Sequence, residues 1–246
     1  MAKFDYIEDN LIRIKKKIER ISNNCGRNSK EIYLIAVSKT FPTEAVISAI
    51  EFNQLDFGEN RVQELVQKNS DIEGRILNWH LIGHLQTNKV KYIAPFVFMI
   101  HSVDSFKLAQ KISEEGKKLG KRIKCLIQVN TSGEDQKSGC EVKDTLKLVK
   151  EISYLENIRV KGLMTIAKFM NDEKSESERN IVRDNFKTLR SLYDEIKEMN
   201  IPNTDFKYLS MGMSSDYDIA IEEGSNMLRI GSSIFGERVK KEQQVL

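Results

Sequence analysis

Lys39 ends the run IYLIAVSK (32–39), whose first six residues are apolar enough to form a strand buried on both faces. An ammonium carried out of water on such a strand loses basicity and gains the neutral-amine form that condenses with a carbonyl. The same position also suits a lysine that packs its stem at a rim and reaches solvent or a carboxylate with its tip. A second cluster lies near the C-terminus, in Arg229-Ile-Gly-Ser-Ser-Ile-Phe-Gly236. Gly231 allows a ligand close to the backbone, and Ser232 and Ser233 bring hydroxyls and amides at the start of a turn or short helix. That combination suits a phosphate, although an ordinary turn also explains it. Ser210-Met211-Gly212-Met213-Ser214 is a further loop rich in small donors.

These residues need elements to hold them. Eight short apolar or β-branched runs read as strands: 32–37, 55–57, 77–82, 96–100, 123–129, 158–163, 206–209 and 227–230. Helical stretches separate them, over 43–52, 60–68, 105–119, 143–154 and about 178–199. A leading helix has Ile7, Leu11, Ile14, Ile18 and Ile21 on one face and a stop at Asn23-Asn24-Cys25-Gly26. Strands that alternate with helices pair in parallel. The count of eight, the 246 residues and the lack of a Gly/Ser/Pro-rich linker favour a closed (β/α)8 barrel of about 250 residues over an open doubly wound sheet. The chain is therefore expected to form a single domain over 1–246. In such a barrel the residues after each strand share one mouth, which gathers Lys39, Asn60, His84, Ser102, Asn130, Thr165, Ser210 and Gly231. Asn171–Asn180 reads as a polar loop after the sixth strand, with its second half equally suited to a helix start.

Other candidates are weaker. Trp79 and His80 lie on a strand, where a buried aromatic and a hydrogen-bonded histidine are the ordinary case. His84 has no orienting partner in the sequence, and His101 with Asp104 suggests a helix cap. Glu222-Glu223 reads as a solvated helix face. No histidine or cysteine spacing matches a metal site. Cys25, Cys125 and Cys140 are odd in number and far apart, which fits a reducing compartment. The formal charge of +3 gives no large field for nucleic acid. The longest apolar run, Tyr92–Ile100, spans nine residues against the roughly 20 that a membrane helix needs. Asp5, Glu8 and Asp9 occupy the N-terminus in place of a signal-peptide core. These features predict a soluble, cytoplasmic protein.

Six motifs occur in order: AVSKT (36–40), FGENRVQE (57–64), WHLIGHLQTNK (79–89), VKGLMTIA (160–167), LSMGMSSDYDIAI (209–221) and LRIGSSIFGER (228–238). Together they resemble the pyridoxal phosphate homeostasis protein family, over nearly the whole chain. The resemblance implies an α/β fold, a single fold-type III (β/α)8 TIM barrel like the N-terminal domain of alanine racemase, preceded by a helix. It implies pyridoxal 5′-phosphate (PLP) as cofactor, bound as a Schiff base on Lys39. The family's phosphate ligands fall on Ser210, Met213, Ser214, Gly231 and Ser232, Asn60 falls near the ring, and Arg229 matches the arginine that faces the ring nitrogen. Asn226 and Leu228, where the family often has Thr and Val, are mild departures.

An arginine there keeps the ring nitrogen unprotonated and the cofactor a weak electron sink. Racemases of this fold also use a tyrosine from a second domain, and 246 residues leave no room for one after the barrel. The resemblance thus implies a monomer that holds, buffers or delivers PLP, with apo-enzymes as recipients and no residue assigned a catalytic role. A weak PLP-dependent racemase is the alternative. A barrel aldolase using Lys39 without PLP is a third reading.

Overall fold

The computed structural model describes residues 4–134, 136–170 and 175–237. Eight strands, β1 (Tyr33–Val37), β2 (Asp56–Glu59), β3 (Asn78–Leu81), β4 (Met99–Val103), β5 (Ile123–Asn130), β6 (Ile158–Met164), β7 (Thr204–Ser210) and β8 (Met227–Ile230), pair in parallel in sequence order. The ring closes through β8 against β1, with Ile35 opposite Arg229. This is the expected (β/α)8 barrel, and its eight strands fall on the eight apolar runs.

Helix α1 (Tyr6–Asn24) buries Ile7, Leu11, Ile14, Ile18 and Ile21, the stripe read from the sequence. It is followed by α2 (Thr43–Glu51), α3 (Val62–Asp71), α4 (Val90–Ile93), α5 (Phe106–Lys118), α6 (Val142–Ser153), α7 (Glu176–Glu198), α8 (Tyr217–Glu222) and α9 (Ser232–Phe235). Helices α2 to α7 cover the outside of the barrel and bury apolar faces such as Leu148, Val149 and Ile152 of α6. Inside it, Ile35, Met99, Leu126, Met164 and Met227 form a separate cluster.

Several boundaries moved for local reasons. β4 starts at Met99 and not at Phe96, because α4 winds one turn further: the amide of Val97 donates to the carbonyl of Ile93. The short α4 was not anticipated, nor was the two-residue pairing of Cys140–Glu141 beside β5. Residues 171–174 of the polar stretch lie outside the described residues. Its second half starts α7, where the Ser175 hydroxyl accepts from the amide of Glu178 and the Glu178 side chain returns to the Ser175 amide. Glu222 and Glu223 are not merely solvated, since both bond to Arg183 of α7 and tie α8 to it.

Two features matter for the mouth of the barrel. Tyr6 donates to the carbonyl of Phe235 (2.8 Å) and Asn10 to that of Ile234 (2.9 Å), so α1 holds the end of α9. In β6, Gly162 adopts φ +144°, where β7 bulges between Thr204 and Tyr208. A Cβ at Gly162 would lie 1.8 Å from the Tyr208 carbonyl oxygen. Backbone collision and an unfavourable φ act together here. We predict that Gly162→Ala costs more than about 4 kcal/mol in denaturant unfolding; a loss below about 1 kcal/mol would show that β7 yields freely.

Candidate functional site

A cavity of about 420 Å3 opens at the C-terminal ends of the strands, within the usual size range for a small-molecule site. Lys39, Asn60, Met213, Ser214, Arg229, Gly231 and Ser232 line it, so the structure brings together seven of the eight residues singled out from the sequence. The eighth, Ser210, is fully buried and lies outside the lining. Phe41, Ile82, Ile166, Phe169 and Met170 supply apolar walls that the sequence reading did not identify. Ile166 and Phe169 follow β6 closely, so the strand-end rule that selected Thr165 points to them as well. His84 lines a separate shallow groove with Asp104 and Ser105.

Lys39 is half-buried and sits on a tightly anchored turn. The preceding Ser38 donates its hydroxyl to Glu59 Oε1 (2.7 Å), and its carbonyl accepts from Lys68 Nζ (2.7 Å). Lys68 also pairs with Glu59 Oε1 at 2.6 Å, and both side chains are nearly inaccessible. Burial raises the Glu59 pKa, with Lys68 as the main opposing influence. Removing either partner would strand a charge inside the protein. Thr40, next in the chain, takes φ +69°, which is unusual for a β-branched residue, and its amide donates to Glu64 Oε1 at 2.8 Å. Three side chains of β2 and α3 thus fix the backbone on both sides of Lys39.

Arg229 projects from β8 and is 4% exposed. Its Nη1 donates to Ser210 Oγ (2.7 Å) and its Nη2 to the Thr165 carbonyl (2.8 Å). Burial lowers its pKa to about 10, partly offset by Asp216, so it stays charged at neutral pH. Ser210 also meets His101 Nδ1 at 3.1 Å. His101 is therefore not a cap beside Asp104: it points into the barrel, where its Nε2 lies 2.9 Å from His80 Nδ1. His80 Nε2 in turn contacts Asp56 Oδ1 at 3.1 Å. Burial pushes both histidines below their ordinary value, His101 well below it.

Just beyond β8, α9 begins at Ser232, and the first amides of a helix lack intrahelical acceptors. Gly231 allows the closeness this junction requires: a Cβ there would lie 3.1 Å from the Val37 carbonyl oxygen. The Ser214 hydroxyl accepts from the Ser233 amide at 3.4 Å, linking the two serine loops. Among the described lining residues there are two cationic side chains and no carboxylate. Apolar walls, an amine, a guanidinium and a serine-rich end suit a flat anionic ligand with an electrophilic carbon.

Fold and site together define a parallel barrel of the alanine racemase N-terminal domain class, and that domain family matches residues 10–239. The chain belongs to the pyridoxal phosphate homeostasis protein family. It is 38% identical to the pyridoxal phosphate homeostasis protein of Aquifex aeolicus over 231 residues, covering 94% of this chain and 97% of that one. PipY of Synechococcus elongatus, solved with PLP bound, is 32% identical with a TM-score of 0.77, covering 89% of this chain and 99% of that one. An alanine racemase from Clostridium difficile shares the fold, with a TM-score of 0.72 at 20% identity, covering 96% of this chain and 58% of that one.

The two buried histidines give a pH signature. An unfolded histidine takes up a proton near pH 6.5, whereas burial keeps His80 and His101 neutral to lower pH in the folded chain. Below that pH the unfolded state binds more protons, so stability falls as pH falls, by up to about 1.4 kcal/mol per pH unit for each ring. Above it neither state is protonated and the effect disappears. We predict a falling unfolding free energy between about pH 6.5 and pH 5.5, with a shallower slope in His101→Phe. A flat profile would contradict two neutral buried rings.

Proposed function

We propose that the cavity at the barrel mouth binds PLP through a Schiff base on Lys39, and that the chain buffers or delivers this cofactor in vitamin B6 homeostasis. The observation that carries this reading is the presence of the Lys39 amine and the buried Arg229 guanidinium in one apolar-walled cavity, with no carboxylate among the described lining residues. The PLP named with PipY, and the name of the curated relatives, support it.

When bound, PLP supplies an aldehyde that an amine captures reversibly. The residues around it have separable tasks. Lys39 provides the amine, and the Glu59–Lys68–Ser38 cluster fixes the turn that presents it. Ser214, Gly231 and Ser232, with Met213 beside them, would hold the phosphate. Asn60 would help hold the ring, and the permanent charge of Arg229 would disfavour protonation of a ring nitrogen held near it. Ser210 contributes through Arg229, because its hydroxyl already bonds to that guanidinium and to His101. Phe41, Ile166, Phe169 and Met170 give the cavity its apolar walls.

The reading extends to one PLP-binding domain over 1–246, acting as a cytoplasmic monomer with apo-enzymes as recipients. Among the described residues no helix is long and apolar enough to cross a membrane. The most exposed large apolar side chains, Ile76, Tyr154 and Phe169, come from separate loops, which supports a monomer.

We predict that protein loaded with PLP and dialysed is yellow, and that Lys39→Ala loses the visible band. Borohydride reduction should add a pyridoxyl group at Lys39 in the wild type alone. A colourless wild type rejects the reading. Delivery is tested separately, by comparing reconstitution of an apo-enzyme from the loaded protein with release into buffer. Acceptor-accelerated transfer supports a carrier, and equal rates leave a passive store. Sedimentation of the loaded protein at one-chain mass is expected.

A further inference from the structure

The barrel interior is crossed by a string of polar side chains that cofactor binding alone does not require. It begins at Asp56, at the N-terminal end of β2, in a groove it shares with Tyr33, Gln54 and Leu55 on the face opposite the cavity. It passes through His80 on β3, His101 on β4 and Ser210 on β7, and ends at Arg229 on β8. His80, His101 and Ser210 are fully buried.

Counting hydrogens gives this string a direction. A guanidinium has donors only, so Ser210 Oγ accepts from Arg229 Nη1 at 2.7 Å. The serine's own hydrogen is then free to reach His101 Nδ1 at 3.1 Å. Accepting there, His101 as a neutral ring carries its hydrogen on Nε2, which lies 2.9 Å from His80 Nδ1. Only one hydrogen fits between two nitrogens at that distance. His80 accepts on Nδ1 and so carries its hydrogen on Nε2, facing Asp56 Oδ1 at 3.1 Å. An ionised carboxylate accepts only. A donor-only cation at one end and an acceptor-only anion at the other thus set both tautomers between them. Every bond points the same way, the arrangement in which linked hydrogen bonds polarise one another.

We propose that Asp56, His80 and His101 are positioning residues for Arg229: a one-directional hydrogen-bond wire through the barrel holds the guanidinium beneath the cavity and couples it to the opposite mouth. This deepens the function proposed above and rests on it where the cofactor serves as the readout. Beside the wire lies an apolar cluster of Ile35, Met99, Leu126, Met164 and Met227, with Phe98 packed on it and Lys124 over the Phe98 ring. His80, His101 and Ser210 are out of reach of water, where an unsatisfied polar group is expensive, so losing one link disturbs the next. The Thr165 carbonyl on Nη2 is the second anchor, and with both in place the guanidinium has little freedom to turn.

The direction is tested without any ligand. Long-range proton–nitrogen correlation spectra of the 15N-labelled full chain at pH 7 should show His80 and His101 both as Nε2–H tautomers. An Nδ1–H tautomer or an imidazolium at either position overturns the wire. The coupling is tested by PLP titration of wild type, His101→Phe and Asp56→Ala. We expect the visible band of the bound cofactor to shift in the same direction in both variants, with Kd raised about tenfold, although Asp56 lies outside the cavity. Asp56 is partly exposed, so its variant serves if His101→Phe does not fold. Wild-type spectra and Kd in Asp56→Ala overturn the coupling. A wild type with no band rejects the proposed function, and the tautomer spectrum then decides the wire by itself.

Discussion

A guanidinium buried inside the barrel sets the arrangement of the polar groups around it. Removing a permanent charge from water costs several kcal/mol unless hydrogen bonds and counter-charge replace the hydration. Arg229 recovers that cost through Ser210 and the Thr165 carbonyl, with Asp216 nearby. Each partner then needs partners of its own. Ser210 leads to His101, His80 and Asp56, while Thr165 donates its hydroxyl to the Val129 carbonyl at 2.7 Å and meets Thr131 at 2.9 Å. The interior of the barrel is thus divided between an apolar cluster and a polar string, and the string follows from one charged side chain on β8.

The other half of the site depends on how the end of β1 is tied down. Lys39 has a long, flexible stem, so its usefulness depends on the backbone that carries it. The Glu59–Lys68 pair holds Ser38 on one side, and Glu64 holds Thr40 on the other. The serine-rich wall is secured from further away: α1 bonds to the end of α9, and Phe41 packs against Phe235 with ring centres 5.3 Å apart. The N-terminal helix thereby supports the loop that begins at Gly231. The amine, the guanidinium and the serine loops come from β1, β7 and β8 and the segments that follow them, and the closed sheet makes these strands neighbours.

Much of this was legible in one dimension. A strand declares itself by a short apolar run and a covering helix by its stripe, so the eight strands and the α1 face followed from periodicity. The strand-end rule then selected Lys39, Asn60, Gly231 and Ser232, because it needs only the order of elements. It failed where partners are distant in sequence. His101 pointed to Asp104 as a neighbour, yet its contacts are His80, 21 positions away, and Ser210, 109 away. Ser210 read as a cavity residue for the same reason, since the rule identifies the mouth but not the depth at which a side chain finds its bonds. The Glu59–Lys68 pair carried no signal, because a strand-end carboxylate and a helix lysine look solvated until packing excludes water.

The sequence alone determined the alternation of strands and helices, the barrel they imply, and the residue types gathered at its mouth. Local propensity, apolar period and strand-end position are properties of neighbouring residues, and they survive without a third dimension. Only the tertiary structure decided which of those side chains line the cavity, which support it from below, and in which direction the buried hydrogens run. Those outcomes depend on distances between strands that closure of the sheet sets, and on loss of water, which makes each unmet donor costly enough to specify its partner.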